Sequence, residues 1–271
     1  MSKKYCAVIG NPIEHSRSQE MYYAFAAQTG MNLHYERILA PLDRFKEAAQ
    51  EFRSLGGNSL NVTIPFKQQA RAMADNVSKT AYESGSANML TFEADGSITA
   101  NNFDGVGLVR DIQENWKFAL KDKMVLVLGA GGAVRGCLNL LLAECPKKIV
   151  VANRTVSKAE ALGYKYTQIQ ALGLDKLDGK SFDIIINGTN SSLQEVDMPI
   201  PDSIINAQTY CYDMVYDKEE THFMRFCRER GAEHCRDGLG MLLEQGAEAF
   251  HYWFQVRPDT APLLANQSWM Y

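Results

Sequence analysis

The chain has 271 residues, 46% of them hydrophobic and 10% aromatic, which is enough to fill the cores of one large or two ordinary domains. A formal net charge of -4 offers no basic footprint for nucleic acid and no polybasic stretch for an anionic membrane, so a small-molecule partner is expected. The six cysteines (Cys6, Cys137, Cys145, Cys211, Cys227, Cys235) never fall at the two-residue spacing of zinc ribbons or thioredoxin-like motifs, which implies reduced thiols in a cytoplasmic protein and no metal site.

The apolar run Tyr5 to Ile9 is too short for a signal-peptide core and stops at Gly10-Asn11-Pro12; it reads as a buried strand. Nothing later in the chain is expected to span a bilayer. Ser18 stands where it can cap a helix whose Met21, Tyr22, Phe25 and Ala26 share a face and which ends at Gly30. A strand near His34 to Ile38 follows, then a helix with Leu42, Phe45, Ala49 and Phe52 on one side, stopped by Gly56-Gly57, then a short strand near Leu60 to Val62. This part of the chain is α/β in its own right.

The alternation restarts at the apolar run Met124 to Leu128. A helix from about 133 to 144 follows, then a strand Ile149 to Ala152 and a helix opened by the capping box Ser157-Lys158-Ala159-Glu160. Further strands are expected near Ile184 to Ile186 and Tyr210 to Met214. Right-handed crossovers through helices then favour a parallel, doubly wound sheet of Rossmann type. The segment Leu239 to Val256 is strongly helical and apolar and can pack back on the first domain.

Between the strand ending at Leu128 and its helix lies Gly129-Ala130-Gly131-Gly132-Ala133, a turn whose glycines let a backbone approach a pyrophosphate at a helix N-terminus. Val134 departs from the generic fingerprint, which has Gly or Ala there. At the end of the strand Ile149 to Ala152, where NAD enzymes carry an acid for the ribose hydroxyls, the chain has Asn153-Arg154-Thr155, with Lys158 one turn on. A guanidinium binds a 2'-phosphate that an acid would repel, so NADP is the expected cofactor.

Three polar clusters fall at expected strand ends: Asn11 to Ser18, Asn61 to Lys67 and Asn101 to Gly105. In an open sheet such ends are where ligands bind. With these clusters on view, NPIxHSxS, NVTxPFK, NxDG, GAGGA, NRT, YDMxY and DGLGMLxxQ occur in the order found in the shikimate dehydrogenase family, from residue 8 to about residue 255, and the chain is identified by resemblance as a member.

The resemblance implies NADP-dependent, reversible reduction of 3-dehydroshikimate to shikimate, on the route to chorismate and the aromatic amino acids. It implies a discontinuous substrate domain (1–103 and 240–271) around an NADP-binding domain (104–239). By resemblance Lys67 and Asp104 are the catalytic pair, and Ser16, Ser18 and Tyr216 contact the substrate carboxylate, with Thr63, Asn88 and Gln245 on its hydroxyls. Thr189, Met214 and Gly238 would border the cofactor, the glycine at 238 leaving room for the nicotinamide. His15 is expected to be a loop residue and not a proton shuttle. Assembly as a monomer or homodimer is expected.

Each assignment has a plain structural rival: Ser18 as a helix cap, Asn61 and Asn88 as loop braces, Gln245 as a surface polar residue, Arg154 as a solvated loop residue, Lys67 with Asp104 as a salt bridge. A quinate/shikimate dehydrogenase of broader specificity and a catalytically silent sensor of shikimate-like ligands are the alternative functions. Departures from the family pattern surround the site: Asn101 and Phe103 in the usual DNTDG, Met89 after the substrate-binding asparagine, Ser59 before NVT and Gln19 after the serine pair.

Overall fold

In the computed structural model, which describes residues 3–270, the first elements in chain order are β1 (Lys4–Gly10), α1 (Ser18–Thr29), β2 (Leu33–Leu39), α2 (Phe45–Ser54), β3 (Ser59–Val62), α3 (Lys67–Ala72), β4 (Asn76–Val77), α4 (Lys79–Ser84), β5 (Met89–Phe92), β6 (Ile98–Asn101) and α5 (Asp104–Arg110). Helix α5 continues into a π-helical turn, Asp111–Asn115. Then come β7 (Met124–Leu128), α6 (Gly132–Ala143), β8 (Lys148–Ala152), α7 (Val156–Lys165), β9 (Ile169–Leu172), β10 (Ile184–Asn187), β11 (Tyr210–Asp213), α8 (His222–Glu229), β12 (His234–Arg236), α9 (Leu239–Phe254) and α10 (Ala261–Ala265). The chain divides into two compact units: one runs up to Gly107 and resumes at Leu243, the other is Leu108–Leu242. Both divisions fall inside helices, α5 and α9.

In the first unit, the strand order among the described residues is β2-β1-β3-β5-β6-β4. β1 is parallel to β2 and β3, while β5 is antiparallel to β3 and β6. Successive residues of β1 alternate faces. Ala7 and Ile9 join Phe45, Phe52, Leu60 and Phe66 in one core cluster. On the opposite face α1 meets the later part of α9: Tyr22 stacks on Tyr35 with ring centroids 4.5 Å apart and also meets Phe250 and Trp253. Gly246 permits this approach, because a Cβ there would lie 2.3 Å from Cε of Met21.

Two local expectations fail in this unit. Leu42 precedes α2 and is 63% exposed, so it takes no part in the buried face of Phe45, Ala49 and Phe52. Ser18 is the first residue of α1, not its cap; Arg17 holds the cap position without a side-chain cap bond. The hydroxyl of Ser16 accepts the Ser18 N–H at 3.3 Å, a serine turn that closes the helix entry one step earlier.

In the second unit, the strand order among the described residues is β12-β11-β10-β7-β8-β9, and these neighbours all pair in parallel, the doubly wound arrangement with the first strand at the switch point. Its central strands are apolar on both faces, as a covered parallel sheet requires. Val125, Val127, Ile184 and Ile186 pack with α6 and α7. Leu126, Leu128 and Ile185 pack with α8 on the other side. The crossovers on either side of β10 carry short 3-10 turns (Leu174–Lys176, Ser192–Gln194, Asp202–Ile204) where full helices are expected. The capping box at Ser157 does not form either. Helix α7 already starts at Val156, with Thr155 at its cap position, and Asn153 Nδ2 closes the entry turn by donating to the Thr155 carbonyl at 2.8 Å.

Candidate active site

In the first unit, Lys67 opens α3 directly after the turn Thr63 to Phe66, and Asp104 opens α5 directly after β6. Nζ of Lys67 donates to Oδ2 of Asp104 at 2.6 Å. The aspartate side chain is 6% exposed and the lysine side chain 20%, so the pair is better shielded on the acid's side than on the amine's. The other carboxylate oxygen, Oδ1, accepts from Asn88 Nδ2 at 2.9 Å. The same amide nitrogen donates to Gln245 Oε1 at 3.1 Å, and Asn88 Oδ1 accepts the Phe103 N–H at 3.0 Å. Asn88, just before β5, therefore joins the start of that strand, the start of α5 and α9 in one polar cluster.

Asn102 is a brace beneath that cluster. Its Oδ1 accepts the Asp104 N–H at 3.0 Å, and its Nδ2 donates to the Ser86 carbonyl at 3.1 Å. Nothing in spacing marks Asn102 for this role; its place in the NxDG motif is the available signal. Thr63 lies over Gly10, where a Cβ would come within 2.4 Å of its Cγ2, so glycine at the end of β1 is what lets the NVT turn approach.

Ser16 and Ser18 share a hydrogen bond of 3.2 Å. Arg37 on β2 holds their loop: Nε donates to the Ser16 carbonyl at 2.8 Å, Nη1 to Gln19 Oε1 at 2.9 Å, and Nη2 pairs with Glu20. Tyr35 OH donates to Asn61 Oδ1 at 2.7 Å. Asn61 is thus engaged as a brace, and His15 is exposed. Tyr216 belongs to the second unit, half-buried after β11.

In the second unit, Gly129 has φ +104°, and a Cβ there would meet the Gly188 carbonyl oxygen at 3.1 Å. Gly131 and Gly132 have nothing within 4 Å of where a Cβ would stand, leaving open space above the first turn of α6. Ala130 is buried and Ala133 half-buried. Val134, the departure from the generic fingerprint, is core, and Gly188 makes room for it: a Cβ on Gly188 would lie 2.4 Å from Val134 Cγ2.

A cavity of about 320 Å³ lies beside this turn, lined among others by Asn153, Arg154, Thr189, Asn190 and Ser191. Arg154, Thr155 and Lys158 are exposed at the end of β8. Thr189 is fixed by Asn187, whose Oδ1 accepts from its hydroxyl at 2.7 Å, while Asn187 Nδ2 donates to Asp213 Oδ1 at 3.1 Å. Burial raises the Asp213 carboxyl, and bonds from Ser192 and its neighbours oppose this. At Gly238 a Cβ would strike the Met214 carbonyl oxygen at 2.3 Å, so no side chain fits at that position.

Among the described residues, no group of three His, Cys, Asp or Glu side chains could hold a metal ion, and no helix is long and apolar enough to cross a membrane.

Three sequence families cover most of the chain. The shikimate dehydrogenase substrate binding domain matches residues 8–90, the shikimate / quinate 5-dehydrogenase domain residues 111–199, and the shikimate 5'-dehydrogenase C-terminal domain residues 238–265. The chain belongs to the shikimate dehydrogenase family.

Within the family, a shikimate dehydrogenase (NADP(+)) of Hahella chejuensis is 49% identical over 263 residues, 96% of this chain and 97% of that protein. The crystal structure of an Ael1 enzyme from Pseudomonas putida matches with TM-score 0.91 at 42% identity, over 97% of each chain. The shikimate 5-dehydrogenase of Thermus thermophilus, solved with NADP(H) and shikimate, matches with TM-score 0.85 at 29% identity, over 95% of this chain and 96% of that one.

The positions where this chain departs from the family pattern are built into the fold. Met89 is fully buried, Ser59 Oγ donates to the Leu90 carbonyl, and Gln19 Nε2 donates to the Tyr35 carbonyl at 2.7 Å. Phe103 sets its ring 6.4 Å from that of Tyr252. Asn101 is buried with an Nδ2 that has no hydrogen-bond partner.

Proposed function

We propose that this chain catalyses the reversible, NADP-dependent interconversion of 3-dehydroshikimate and shikimate, with Lys67 and Asp104 as its catalytic pair. The observation that carries the proposal is the contact of 2.6 Å between Lys67 Nζ and Asp104 Oδ2, with the second carboxylate oxygen already committed to Asn88. A simple surface salt bridge has no such backing.

When bound, NADPH supplies the hydride that the ketone carbon receives. Reduction leaves negative charge on the former carbonyl oxygen, and the Lys67 ammonium stabilises that charge and gives up a proton from Nζ. In the reverse direction Nζ takes the proton from the hydroxyl. Asp104 holds the amine at one place throughout, and Asn88 keeps the carboxylate from rotating. Ser16 and Ser18, on the loop braced by Arg37, are donors for the substrate carboxylate, with Tyr216 as a third. Thr63, Asn88 and Gln245 serve the ring hydroxyls.

The chain's residues fit a phosphorylated dinucleotide. Gly131 and Gly132 leave a cradle that a Cβ would intrude on, at the positive end of α6. Gly129, Ala130 and Ala133 shape the same turn. Arg154, Thr155 and Lys158 supply donors for a 2'-phosphate, with Asn153 ordering their loop. Thr189, Met214 and Gly238 would border the nicotinamide end of the bound cofactor. The six cysteines are free thiols, which accords with work in the cytoplasm.

The test is reduced-cofactor absorbance with shikimate and with quinate, each with NADP and with NAD. Turnover with shikimate and NADP supports the proposal. Equal turnover with quinate would favour the broader enzyme, and silence in every combination, despite a ligand-induced rise in melting temperature, would favour the sensor.

A further inference from the structure

Helix α5 presents an apolar face, Leu108 and Val109, that continues to Ile112, and in its midst stands Asp111 with no solvent exposure at all. A carboxylate so placed must be fully bonded to be tolerated. Oδ2 accepts from Tyr212 OH at 2.6 Å, Oδ1 from Asn115 Nδ2 at 3.1 Å, and Arg236 Nη2 lies 3.5 Å from Oδ1. Burial and the nearby carboxylate both hold the Tyr212 phenol well above its ordinary pKa, so it stays a donor.

The backbone changes register at this residue. The Trp116 N–H reaches back five residues to the Asp111 carbonyl at 2.9 Å, a π-type turn of the kind often found at functional positions. The carboxylate is thereby set against the first turn of α9. A Cβ on Gly240 would lie 1.9 Å from Oδ1, so the acid fills the space that any other residue at 240 would need. The positive end of the helix dipole makes that turn a favourable place for negative charge.

From the other side, the Gly238 N–H donates to the Val215 carbonyl at 3.0 Å, and its Cα leaves no room for a side chain over Met214. The segment Asp237 to Gly240 is therefore gripped between the loop after β11 and the Asp111 carboxylate.

We infer that Asp111 is a positioning residue for the nicotinamide end of the cofactor site: with Tyr212 it fixes the backbone of Asp237 to Gly240, and it acts only through that backbone. The inference rests on the function proposed above, in which Gly238 faces the nicotinamide. It assigns a role to a buried acid that touches neither substrate nor cofactor.

The experiment compares wild type with Asp111→Asn and Tyr212→Phe. Asparagine keeps the size of the acid and removes its charge; phenylalanine removes one bond and keeps the charge, so a variant remains if the asparagine protein fails to fold. Calorimetry measures affinity for NADPH and for 2',5'-ADP, which lacks the nicotinamide, and steady-state kinetics give kcat and the KM for shikimate. A misplaced contact surface is expected to weaken NADPH binding by about tenfold and to lower kcat. Affinity for 2',5'-ADP and the KM for shikimate are expected to stay at wild-type values. Parallel loss of NADPH and 2',5'-ADP would show general loosening of the unit and overturn the inference, as would unchanged NADPH binding in both variants. A wild type that binds neither nucleotide would overturn the proposed function, and this inference with it.

Discussion

The two oxygens of the Asp104 carboxylate are divided between two partners: Oδ2 takes the Lys67 ammonium at 2.6 Å and Oδ1 the Asn88 amide at 2.9 Å. A carboxylate pinned in this way orients the amine beside it, so in the proposed mechanism Asn88 would serve the catalytic geometry as well as substrate binding. Asn88→Ala frees one oxygen and leaves the lysine with a rotating partner. The expected result is a kcat lower by about ten- to a hundredfold, a larger effect than that on the KM for shikimate. Steady-state kinetics at saturating cofactor separate the two; a rise in KM alone would make Asn88 a binding residue only.

Arg37 holds the Ser16 carbonyl and Gln19 from a neighbouring strand while touching no catalytic group. Arg37→Met keeps the aliphatic stem and removes the donors. A loosened serine loop binds the substrate carboxylate less well, so KM for shikimate is expected to rise about tenfold with kcat nearly unchanged. Equal falls in kcat and kcat/KM would place the residue in the chemical step instead.

Under the proposed function, cofactor choice is assigned to Arg154 at the end of β8, exposed beside the cavity next to the glycine turn. Arg154→Asp exchanges a 2'-phosphate donor for a repelling charge, and the ratio of kcat/KM for NADP over NAD is expected to fall by about a hundredfold or more. Measurement of both ratios under one buffer decides it, and an unchanged preference would remove Arg154 from the site.

Asp237 gives a pH signature. Burial, reinforced by Asp111, pushes its carboxyl up to about 6, against the opposing Leu239 N–H, Arg236 and the Asp217 backbone. The folded state thus holds this proton more tightly than the unfolded state. That stabilisation is complete below about pH 4 and is lost as pH rises through about 6. Asp237→Asn keeps an oxygen for the Leu239 N–H, which now bonds Oδ1 at 3.2 Å, and carries no charge to desolvate. The variant is expected to be more stable than wild type by about 1–2 kcal/mol near pH 8, with the gap closing near pH 4. Thermal unfolding across that range checks it; a gap independent of pH would contradict the assignment to this carboxyl.

The four inner strands of the second unit are legible in the sequence because buried parallel strands are continuous apolar runs, as in Met124 to Leu128 and Ile184 to Ile186, whereas the partly exposed edge strands β9 and β12 are absent from the sequence reading. The hairpin of β5 and β6 is absent from the sequence reading, although Asp95-Gly96 between them is a turn signal and Gly96 takes φ +93°. Helix starts at Ser18 and Ser157 are displaced in that reading because capping residues are interchangeable along a serine-rich entry, and the bond from Ser16 or Asn153 decides which residue is first. Candidate site residues inside motifs are visible through resemblance. Arg37 and Asp111 are not, since their partners lie 21 and 101 residues away and no spacing in the sequence links them.

The most direct measurement is single-turnover oxidation of shikimate by NADP with wild type and with Lys67→Ala, followed by reduced-cofactor absorbance, with ligand affinities measured in parallel. Loss of a positioned proton carrier and cation is expected to slow the chemical step by about a hundred- to ten-thousandfold while both ligands still bind. A variant that turns over near the wild-type rate would contradict the role of Lys67, and the contact with Asp104 would then be a structural ion pair.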